Sequence, residues 1–140
     1  MTRYLLDTNT FSFVAHGKSK AARAQFERLF EDKRAVLSIS AINLAEIRYG
    51  MVKHPISPTR RAAIEALLGR LNLLPWDAAE TDAYSLLRTR LAARSLQVTA
   101  MDLLIASQAI AAGAVLVSHD TIFQQMGDLV QIVDWATDLP

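Results

Sequence analysis

The sequence predicts an α/β fold in which helices cover a mainly parallel central sheet of about five strands. Short apolar runs with strand character alternate along the chain with longer segments whose apolar residues recur at helical spacing. No internal repeat is visible, and no segment rich in proline, glycine or serine divides the chain. This alternation is typical of parallel strands joined by helical crossovers, so we expect an α/β/α sandwich in a single domain, residues 1–140.

The first half of the chain contains two predicted strands and four predicted helices. The strands are Arg3–Leu6 and Ala35–Ile39, and the helices are Thr10–His16, Ala21–Phe30, Ala41–Met51 and a segment from Ser57-Pro58 to about Leu71. The helix Ala21–Phe30 carries its apolar residues at helical spacing. Ser40 is a suitable N-cap for the third helix, which Gly50 helps to end. Pro58 occupies the first position of the fourth helix, where proline is favoured.

The second half contains three predicted strands and two long helices. The strands are Leu73–Trp76, Ala114–Val117 and Leu129–Val133, and the helices run from Asp77 through Arg94 and from Thr99 to Ala112-Gly113. Asp77 and Glu80 have the spacing of a capping box, which starts the first of these helices. Trp76 and Trp135 follow apolar strand residues, so we expect them to pack in the core or at a sheet edge rather than to stack on bases.

Composition excludes several classes of protein. The 140 residues can form a hydrophobic core, but the apolar stretches are too short and interrupted to span a bilayer. The N-terminus lacks the pattern of a secretory signal. The absence of cysteine excludes disulfides, thiolate zinc sites and cysteine nucleophiles, and it fits a reducing compartment. We therefore expect a cytoplasmic protein without a membrane segment.

Charge is distributed unevenly although the net charge is only +1. All 15 lysines and arginines lie at or before Arg94 together with nine acids, an excess of six positive charges, whereas residues 95–140 contain five aspartates and no basic residue. Solvated helix faces would explain this pattern. The alternative is an acidic, cation-binding pocket rimmed by basic residues that hold an anionic polymer, with Arg88 and Arg90 among the candidates.

Four carboxylates lie in otherwise apolar or small-residue segments far apart in the chain: Asp7, Glu46, Asp102 and Asp120. Asp7 and Asp120 follow predicted strands, at the sheet edge where functional groups gather in parallel α/β folds. An ionised carboxylate is costly to bury unless a partner compensates it. If the four converge, Mg²⁺ or Mn²⁺ is the expected partner, because these ions prefer carboxylate and water oxygens. Zinc would favour histidine or cysteine, and the three histidines show no paired ligand spacing.

Each acid also has a plainer explanation. Asp7 could belong to a turn, and Asp120 could cap a short helix. Asp102 has capping-box spacing with Thr99, and an acid in the first helical turn is favoured by the helix dipole. Glu46 lies in the middle of a helix, where no cap can use it, although it could face solvent.

Other acid-dependent chemistries need residues that the chain lacks. A phosphatase of the haloacid dehalogenase type needs a second aspartate two positions after its nucleophile, but position 9 is Asn9. A phosphoacceptor receiver domain needs a lysine after a late strand, and the last lysine here is Lys53. The glycine-rich nucleotide-binding motifs, the HExxH motif and a serine nucleophile elbow are also absent. Metal-assisted phosphodiester hydrolysis remains.

Four segments carry a resemblance to a known family: Tyr4-Leu5-Leu6-Asp7-Thr8-Asn9, Asn43-Leu44-Ala45-Glu46-Ile47-Arg48-Tyr49-Gly50, Asp102-Leu103-Leu104-Ile105-Ala106 and Leu116-Val117-Ser118-His119-Asp120-Thr121-Ile122-Phe123. In this order they closely resemble the PIN-domain ribonucleases, specifically the VapC toxins of type II toxin–antitoxin pairs. The resemblance extends over essentially the whole chain, to Val133-Asp134-Trp135. It departs from the family at Ser118-His119-Asp120, where relatives have Thr-Asn-Asn or Thr-x-Asp, and at Leu96-Gln97-Val98-Thr99, where relatives commonly contain glycine.

The resemblance implies a PIN-like fold and an endoribonuclease that depends on Mg²⁺ or Mn²⁺. It implies Asp7, Glu46 and Asp102 as the core metal-binding and catalytic acids, with Asp120 as the match for the fourth. Ser118 would replace the usual threonine hydroxyl. Thr8 and Asn9 are expected to orient Asp7 or a metal-bound water, with simple turn chemistry as the alternative.

The resemblance also implies partners. The expected substrate is RNA, with tRNA and initiator tRNA as the first candidates, and the expected assembly is a homodimer inhibited by a VapB antitoxin. The hetero-oligomer would bind operator DNA through the antitoxin. Two alternatives stay open at this stage: a metal-dependent nuclease or phosphatase with another class of substrate, and a non-catalytic acidic binding module.

Overall fold

Strands and helices alternate along the whole chain in a computed structural model that describes residues 1–140. The elements in chain order are β1 Thr2–Leu6, α1 Thr8–Ala15, α2 Lys20–Glu31, β2 Ala35–Ser40, α3 Ala41–Lys53, α4 Pro58–Gly69, β3 Asn72–Leu74, α5 Ala78–Ala93, α6 Ala100–Ala112, β4 Val115–Val117, α7 Thr121–Gln124 and β5 Ile132–Val133. The predicted alternation is confirmed for every long helix.

The five strands form one sheet in the order β3-β2-β1-β4-β5, and every neighbouring pair is parallel. The predicted fold class is therefore confirmed, and the sheet is parallel throughout. Strand β1 lies at the centre, where Leu6 is in register with Ile39 of β2 and Val117 of β4. The last residues of β1 and β4 thus lie side by side, which places the segments that follow them at one edge of the sheet.

Apolar side chains from both faces of the sheet are buried against helices. Leu5 and Leu116 pack with residues of α5 and α6, and their neighbours Leu6 and Val117 face the other side, where Phe26 of α2 is fully buried. Successive strand residues point to opposite faces, so one short strand supplies both layers of the sandwich. No helix has the length and continuous apolar character that crossing a bilayer requires.

Most element boundaries differ from the prediction by one or two residues, and β3 ends at Leu74 rather than at the predicted Trp76. Two of the differences have a clear explanation in the hydrogen bonds. Helix α1 begins at Thr8 rather than Thr10, because the Asp7 carboxylate accepts a hydrogen bond from the Thr10 amide and caps the helix two residues earlier. The last strand is only Ile132–Val133, and the prediction that it starts at Leu129 is wrong. The amides of Leu129 and Val130 both donate to the Met126 carbonyl in a turn, so neither is free to pair with β4.

Candidate active site

A cleft of about 140 Å³ lies at the sheet edge where β1 and β4 end. It is lined by Asp7, Thr8, Asn9, Asn43, Glu46, Met101, Asp102, Ile105, Asp120 and Phe123. All four carboxylates singled out in the sequence therefore line the same cleft, although they come from four different parts of the chain. The fold therefore brings the four acids together, which was the condition for a shared cation site.

Two of the acids are fixed by the backbone of the helix that each precedes. The Oδ1 atom of Asp7 accepts a hydrogen bond of 2.7 Å from the Thr10 amide, and the Oδ1 atom of Asp120 accepts one of 3.1 Å from the Ile122 amide. Both residues are N-caps, of α1 and α7. The capping role and the place in the cleft coexist, because each carboxylate has a second oxygen and the cleft lies directly outside the helix start.

The other two acids lie on helices, and no backbone amide donates to either carboxylate. The Oε1 atom of Glu46 accepts from the Thr8 hydroxyl at 3.2 Å and from the Asn43 side-chain amide at 3.5 Å. For Asp102 the Thr99 hydroxyl accepts from the backbone amide at 3.2 Å, as in half of a capping box. The reciprocal bond from the Thr99 amide to the Asp102 carboxylate is absent, so that carboxylate is free to line the cleft.

Burial of the four acids decreases across the cleft. Asp7 is only 6% exposed and Asp102 is half-buried, whereas Glu46 and Asp120 are exposed. Asp7 and Asp102 therefore form the floor of the cleft, and Glu46 and Asp120 lie at its mouth, in agreement with the solvent-facing alternative considered for Glu46. The expected free-energy cost of burying an ionised carboxylate applies at the floor of the cleft, at Asp7.

Burial also perturbs the acids at the floor of the cleft. Desolvation raises the pKa of Asp7 above its ordinary value, and the charge of Asp120 raises it further, while Ser118 and the Thr10 amide oppose the rise. Desolvation likewise raises the pKa of Asp102, again with help from Asp120, and Thr99 opposes it. A nearby cation would reverse both effects, because it favours the charged form of each carboxylate.

The donor chemistry of the cleft fits a hard divalent cation. Its polar lining consists of carboxylates, asparagines and a threonine, with no histidine, cysteine, lysine or arginine. Mg²⁺ and Mn²⁺ prefer such oxygen ligands, whereas zinc favours nitrogen and sulfur. No three of the histidine, aspartate and glutamate side chains are grouped closely enough to hold an ion by themselves. An ion in this cleft would therefore complete its coordination with water, which Mg²⁺ usually does.

The cleft lies in a chain that matches a known family over most of its length. The family model described as "PIN domain" matches residues 4–129. The chain belongs to the PIN domain family. The resemblance stated from the sequence is therefore confirmed at the level of the family, and the sequence segments that carried it are those that bring acids to the cleft.

Individual relatives support a narrower resemblance to VapC proteins. "Ribonuclease VapC2" of Rickettsia felis is 34% identical over 117 residues, which are 84% of this chain and 86% of the relative. The "tRNA(fMet)-specific endonuclease VapC" of Shigella flexneri is 29% identical over 137 residues, which are 97% of this chain and 100% of the relative. The chain thus matches VapC relatives over most of its own length and over most of theirs.

Solved structures agree with these relatives. The structure of VapBC2 from Rickettsia felis bound to a DNA fragment from their promoter contains a chain that aligns with a TM-score of 0.86 and 30% identity, over 96% of this chain and 99% of that one. The DNA-bound VapBC of Salmonella typhimurium aligns with a TM-score of 0.83 and 29% identity, also over 96% and 99%. This PIN-domain chain therefore shares its whole fold with VapC proteins.

Residues expected to support the acids have different surroundings. Thr8 lines the cleft and bonds to Glu46 rather than to Asp7, as its hydroxyl donates to the Glu46 carboxylate. Asn9 lines the cleft, is exposed and makes no side-chain hydrogen bond. Ser118 is fully buried, and its hydroxyl accepts from the Asp120 amide at 3.0 Å. Ser118 thus interacts with both strand-end acids: its hydroxyl accepts from the Asp120 amide, and its side chain also lowers the pKa of Asp7.

Sequence reasoning missed Asn43. This residue lines the cleft, is only 2% exposed, and donates to both Thr8 and Glu46. It precedes Glu46 by three positions on the same helix, and side chains three apart on a helix are neighbours. Searching the helix face of each acid for polar residues at that spacing would have found it.

No basic side chain lines the acidic cleft, so the predicted basic rim is not part of its wall. Four of the arginines are instead paired with acids on the surface: Arg34 with Asp32, Arg48 with Glu65, Arg70 with Glu27, and Arg94 with Asp128. Arg88 donates to the Tyr84 hydroxyl on its own helix. The sequence-level explanation of ordinary solvated faces accounts for these paired arginines.

A second, more apolar groove adjoins the acidic cleft. It has a volume of about 310 Å³ and is lined by Thr8, Phe11, Ser12, His16, Glu46, Ile47, Gly50, Met51, His54, Ile56 and Ile64. Thr8 and Glu46 belong to both cavities, so the groove opens directly onto the acids. A chain lying in this groove could reach the cleft.

Proposed function

We propose that this protein is an endoribonuclease of the VapC type, the toxin of a type II toxin–antitoxin pair, and that it depends on Mg²⁺ or Mn²⁺. The observation that carries the proposal is the convergence of Asp7, Glu46, Asp102 and Asp120 in one cleft without histidine, cysteine or a basic residue. Phosphodiester hydrolysis at such a site needs no side-chain nucleophile, and the chain offers no nucleophile elbow.

The metal ligands in this proposal are the four acids. A divalent ion held there would lower the pKa of a bound water and offset the charge of the scissile phosphate. Asp7 and Asp102 are the primary ligands, because they are the two acids that the fold withdraws from solvent at the floor of the cleft. Glu46 and Asp120, exposed at the mouth, contribute through retained waters or beside the incoming phosphate.

The protein's part in the reaction is to orient these groups. The backbone hydrogen bonds to Asp7 and Asp120 fix one oxygen of each carboxylate and leave the other oxygen for a ligand. Ser118 accepts a hydrogen bond from the Asp120 amide and so fixes the turn that carries Asp120 away from the end of β4. The apolar side chains of Ile105 and Phe123 complete the lining of the cleft beside the acids.

The proposed substrate is RNA, and tRNA is the first to test, because one relative is named a tRNA(fMet)-specific endonuclease. The purified protein would be incubated with total tRNA, with initiator tRNA and with single-stranded DNA of matched length, in Mg²⁺, Mn²⁺ or EDTA. We expect RNA cleavage with either metal and none in EDTA, and we expect translation to stop when the protein is produced without its antitoxin. The matched control is Asp102→Asn, which retains the shape of the side chain.

The outcomes separate the proposal from its competitors. Cleavage that persists in EDTA would contradict the metal site. Preference for DNA or for a phosphate monoester would identify the other metal-dependent hydrolases on the same scaffold. A correctly folded protein that binds Mn²⁺ and cleaves no nucleic acid would be a binding module. The neighbouring gene gives an independent check, because a toxin of this type should be adjacent to a small open reading frame with a DNA-binding N-terminus.

The proposed inhibitor is a VapB antitoxin that lies in the apolar groove beside the acids. The groove offers buried Phe11, Met51 and Ile64 to an amphipathic segment, and it ends at Glu46 in the acidic cleft. A basic side chain of the antitoxin would meet uncompensated carboxylates there. The similar chains in the VapBC structures were solved together with DNA, which supports operator binding through the antitoxin.

A homodimer is the proposed state of the toxin. On α2, Phe26 and Leu29 are buried in the core and offer no free surface, whereas Phe30 is 42% exposed. Leu86 of α5 and Ile110 of α6 are large and exposed, and they flank a shallow apolar depression. Self-association through this face is the form we propose, and Leu86→Lys should convert a dimer to a monomer in light scattering. The expected compartment stays the cytoplasm.

A further inference from the structure

Three side chains on α1 and α3 form a hydrogen-bonded triangle at the mouth of the acidic cleft. The Asn43 side-chain amide donates to the Thr8 hydroxyl at 2.8 Å, the Thr8 hydroxyl donates to Glu46 at 3.2 Å, and Asn43 also reaches Glu46 at 3.5 Å. Thr8 directly follows Asp7 in the chain. The triangle therefore joins the acid at the end of β1 to the acid on α3.

Both bonds to Glu46 end on the same oxygen. Thr8 and Asn43 donate to Oε1, and Oε2 accepts no hydrogen bond in the protein. The side chain of Glu46 is exposed, so without these donors it would sample several rotamers. Two donors on one oxygen fix the plane of the carboxylate and leave the other oxygen available for a ligand.

Asn43 is an unusual residue to find at its position. It is 2% exposed, and its Oδ1 atom has no hydrogen-bond donor, although buried polar atoms are normally paired. The opposite orientation of the amide is not a better solution, because Oδ1 would then face the Glu46 carboxylate and two acceptors would meet. A buried polar side chain with an unpaired acceptor, lining a cleft of acids, indicates a role beyond packing.

We infer that Asn43 is a positioning residue: through Thr8, it presets Glu46 so that one carboxylate oxygen is held and the other is offered to the metal or its water. This inference rests on the proposed metal-dependent function, and it assigns a specific task to two residues that do not carry charge. Partners of this kind around metal ligands change affinity or activity by about 10- to 100-fold when they are removed.

The test compares Thr8→Val, which removes the hydroxyl and keeps the shape, with Thr8→Ser, which keeps the hydroxyl. Asn43→Ala and the double variant complete a cycle. We expect Thr8→Val and Asn43→Ala each to reduce Mn²⁺ affinity, measured by calorimetry, and kcat for RNA cleavage by about tenfold or more, with KM little changed. Thr8→Ser should stay within about twofold of the wild type. The double variant should lose no more Mn²⁺ affinity or kcat than the more impaired of the two single variants, because both residues act through the same carboxylate.

A separate readout does not depend on activity. The side-chain amide signals of Asn43 in ¹⁵N-resolved NMR spectra of the metal-free protein should shift in Thr8→Val and in Glu46→Gln, and not in Asn9→Ala, whose side chain makes no hydrogen bond. Ser38→Ala is the control for loss of an unpaired buried polar atom, because Ser38 lies on β2 outside the cleft. It should change neither Mn²⁺ affinity nor kcat.

The inference is overturned if Asn43→Ala folds and retains wild-type Mn²⁺ affinity and kcat, or if the effects of the two substitutions add independently. It is also overturned if Thr8→Ser loses as much as Thr8→Val. Failure of the proposed function is distinguishable, since the wild-type protein would then cleave no RNA. In that case the NMR shifts and Mn²⁺ affinities still decide whether Asn43 and Thr8 position Glu46.

Discussion

The acids that follow strands and the acids that lie on helices are held in different ways. Backbone amides hold Asp7 and Asp120, so each carboxylate both caps a helix and lines the cleft. Side chains alone support Glu46 and Asp102, through Thr8 and Asn43 in one case and Thr99 in the other. The strand-end acids therefore combine two tasks, and the helix acids have one. This difference predicts how asparagine, glutamine and alanine substitutions should separate.

The largest effects on cleavage are expected at the two acids on the floor of the cleft, the helix acid Asp102 and the strand-end acid Asp7. Asp102→Asn should reduce RNA cleavage by more than about 100-fold, which corresponds to a few kcal/mol of lost transition-state stabilisation. The free energy of unfolding of the metal-free protein should be unchanged or higher, because the substitution removes a charge that burial and Asp120 disfavour. Urea denaturation beside an RNA cleavage assay measures both quantities.

Asp102→Ala should behave like Asp102→Asn in the same two measurements, since the carboxylate does not cap its helix. A clear loss of stability in Asp102→Ala that is absent in Asp102→Asn would show that this acid has a structural task as well. The distinction between the two kinds of acid would then be wrong at Asp102.

Asp7 should show two separable effects. Asp7→Asn should abolish cleavage and keep the helix cap, because asparagine and aspartate are about equally good N-caps. Asp7→Ala should abolish cleavage and also lower the free energy of unfolding by about 0.5–2 kcal/mol relative to Asp7→Asn. Thermal or urea unfolding of the two variants at one pH makes the comparison. Equal stability of the two variants would contradict the capping role.

The raised pKa of Asp7 also predicts a pH dependence with a definite sign. The native state holds the proton of Asp7 more tightly than the unfolded chain, so this carboxyl stabilises the fold at low pH. That contribution is lost as pH rises from the ordinary value of 3.8 through the raised value, and the cost of the buried charge is fully present above it. The stability of Asp7→Asn relative to the wild type should therefore increase with pH and then level off.

Urea denaturation between pH 4 and pH 7 in EDTA measures this difference, and the comparison with the variant cancels the contributions of other carboxyls. Saturating Mn²⁺ should stabilise the wild type at pH 7 more than it stabilises Asp7→Asn, because the cation compensates the buried charge. A difference between the two proteins that is independent of pH would contradict the raised pKa.

The contrast between the two kinds of acid also explains what the sequence could reveal. Alternation of elements predicted the parallel sheet, and strand ends predicted Asp7 and Asp120 at one edge, because these features are local and periodic. Convergence of Glu46 with them needed the packing of α3 against α1, which no local pattern encodes. The role of Asn43 was hidden for the same reason, since its partner Thr8 lies 35 residues away.

The solvent exposure of the acids could not be derived from their sequence neighbours. Glu46 stands among apolar residues in the chain, yet it faces the mouth of the cleft, because a helix presents adjacent residues to different sides. The assignment of residues 1–140 to a single domain and the individual roles of the acids stay predictions. The substitutions proposed for Asp7, Asp102 and Asp120 test those roles directly.

The smallest effect is expected at Asp120, where the cleft is most open. Asp120→Asn should reduce RNA cleavage by only about tenfold and leave stability unchanged, because the residue is exposed and asparagine keeps the cap of α7. Asp120→Ala should cost a further ~0.5–1 kcal/mol of unfolding free energy, at the low end for a cap since α7 has only four residues.

Either substitution at Asp120 should also lower the pKa of Asp7 and of Asp102, because the charge of Asp120 helps to raise both. NMR titration of the carboxyl carbons measures this change. If Asp120→Asn instead removed cleavage as fully as Asp102→Asn, an exposed acid at the mouth would be as necessary as the buried ones. The floor of the cleft could not then be the principal binding site for the metal.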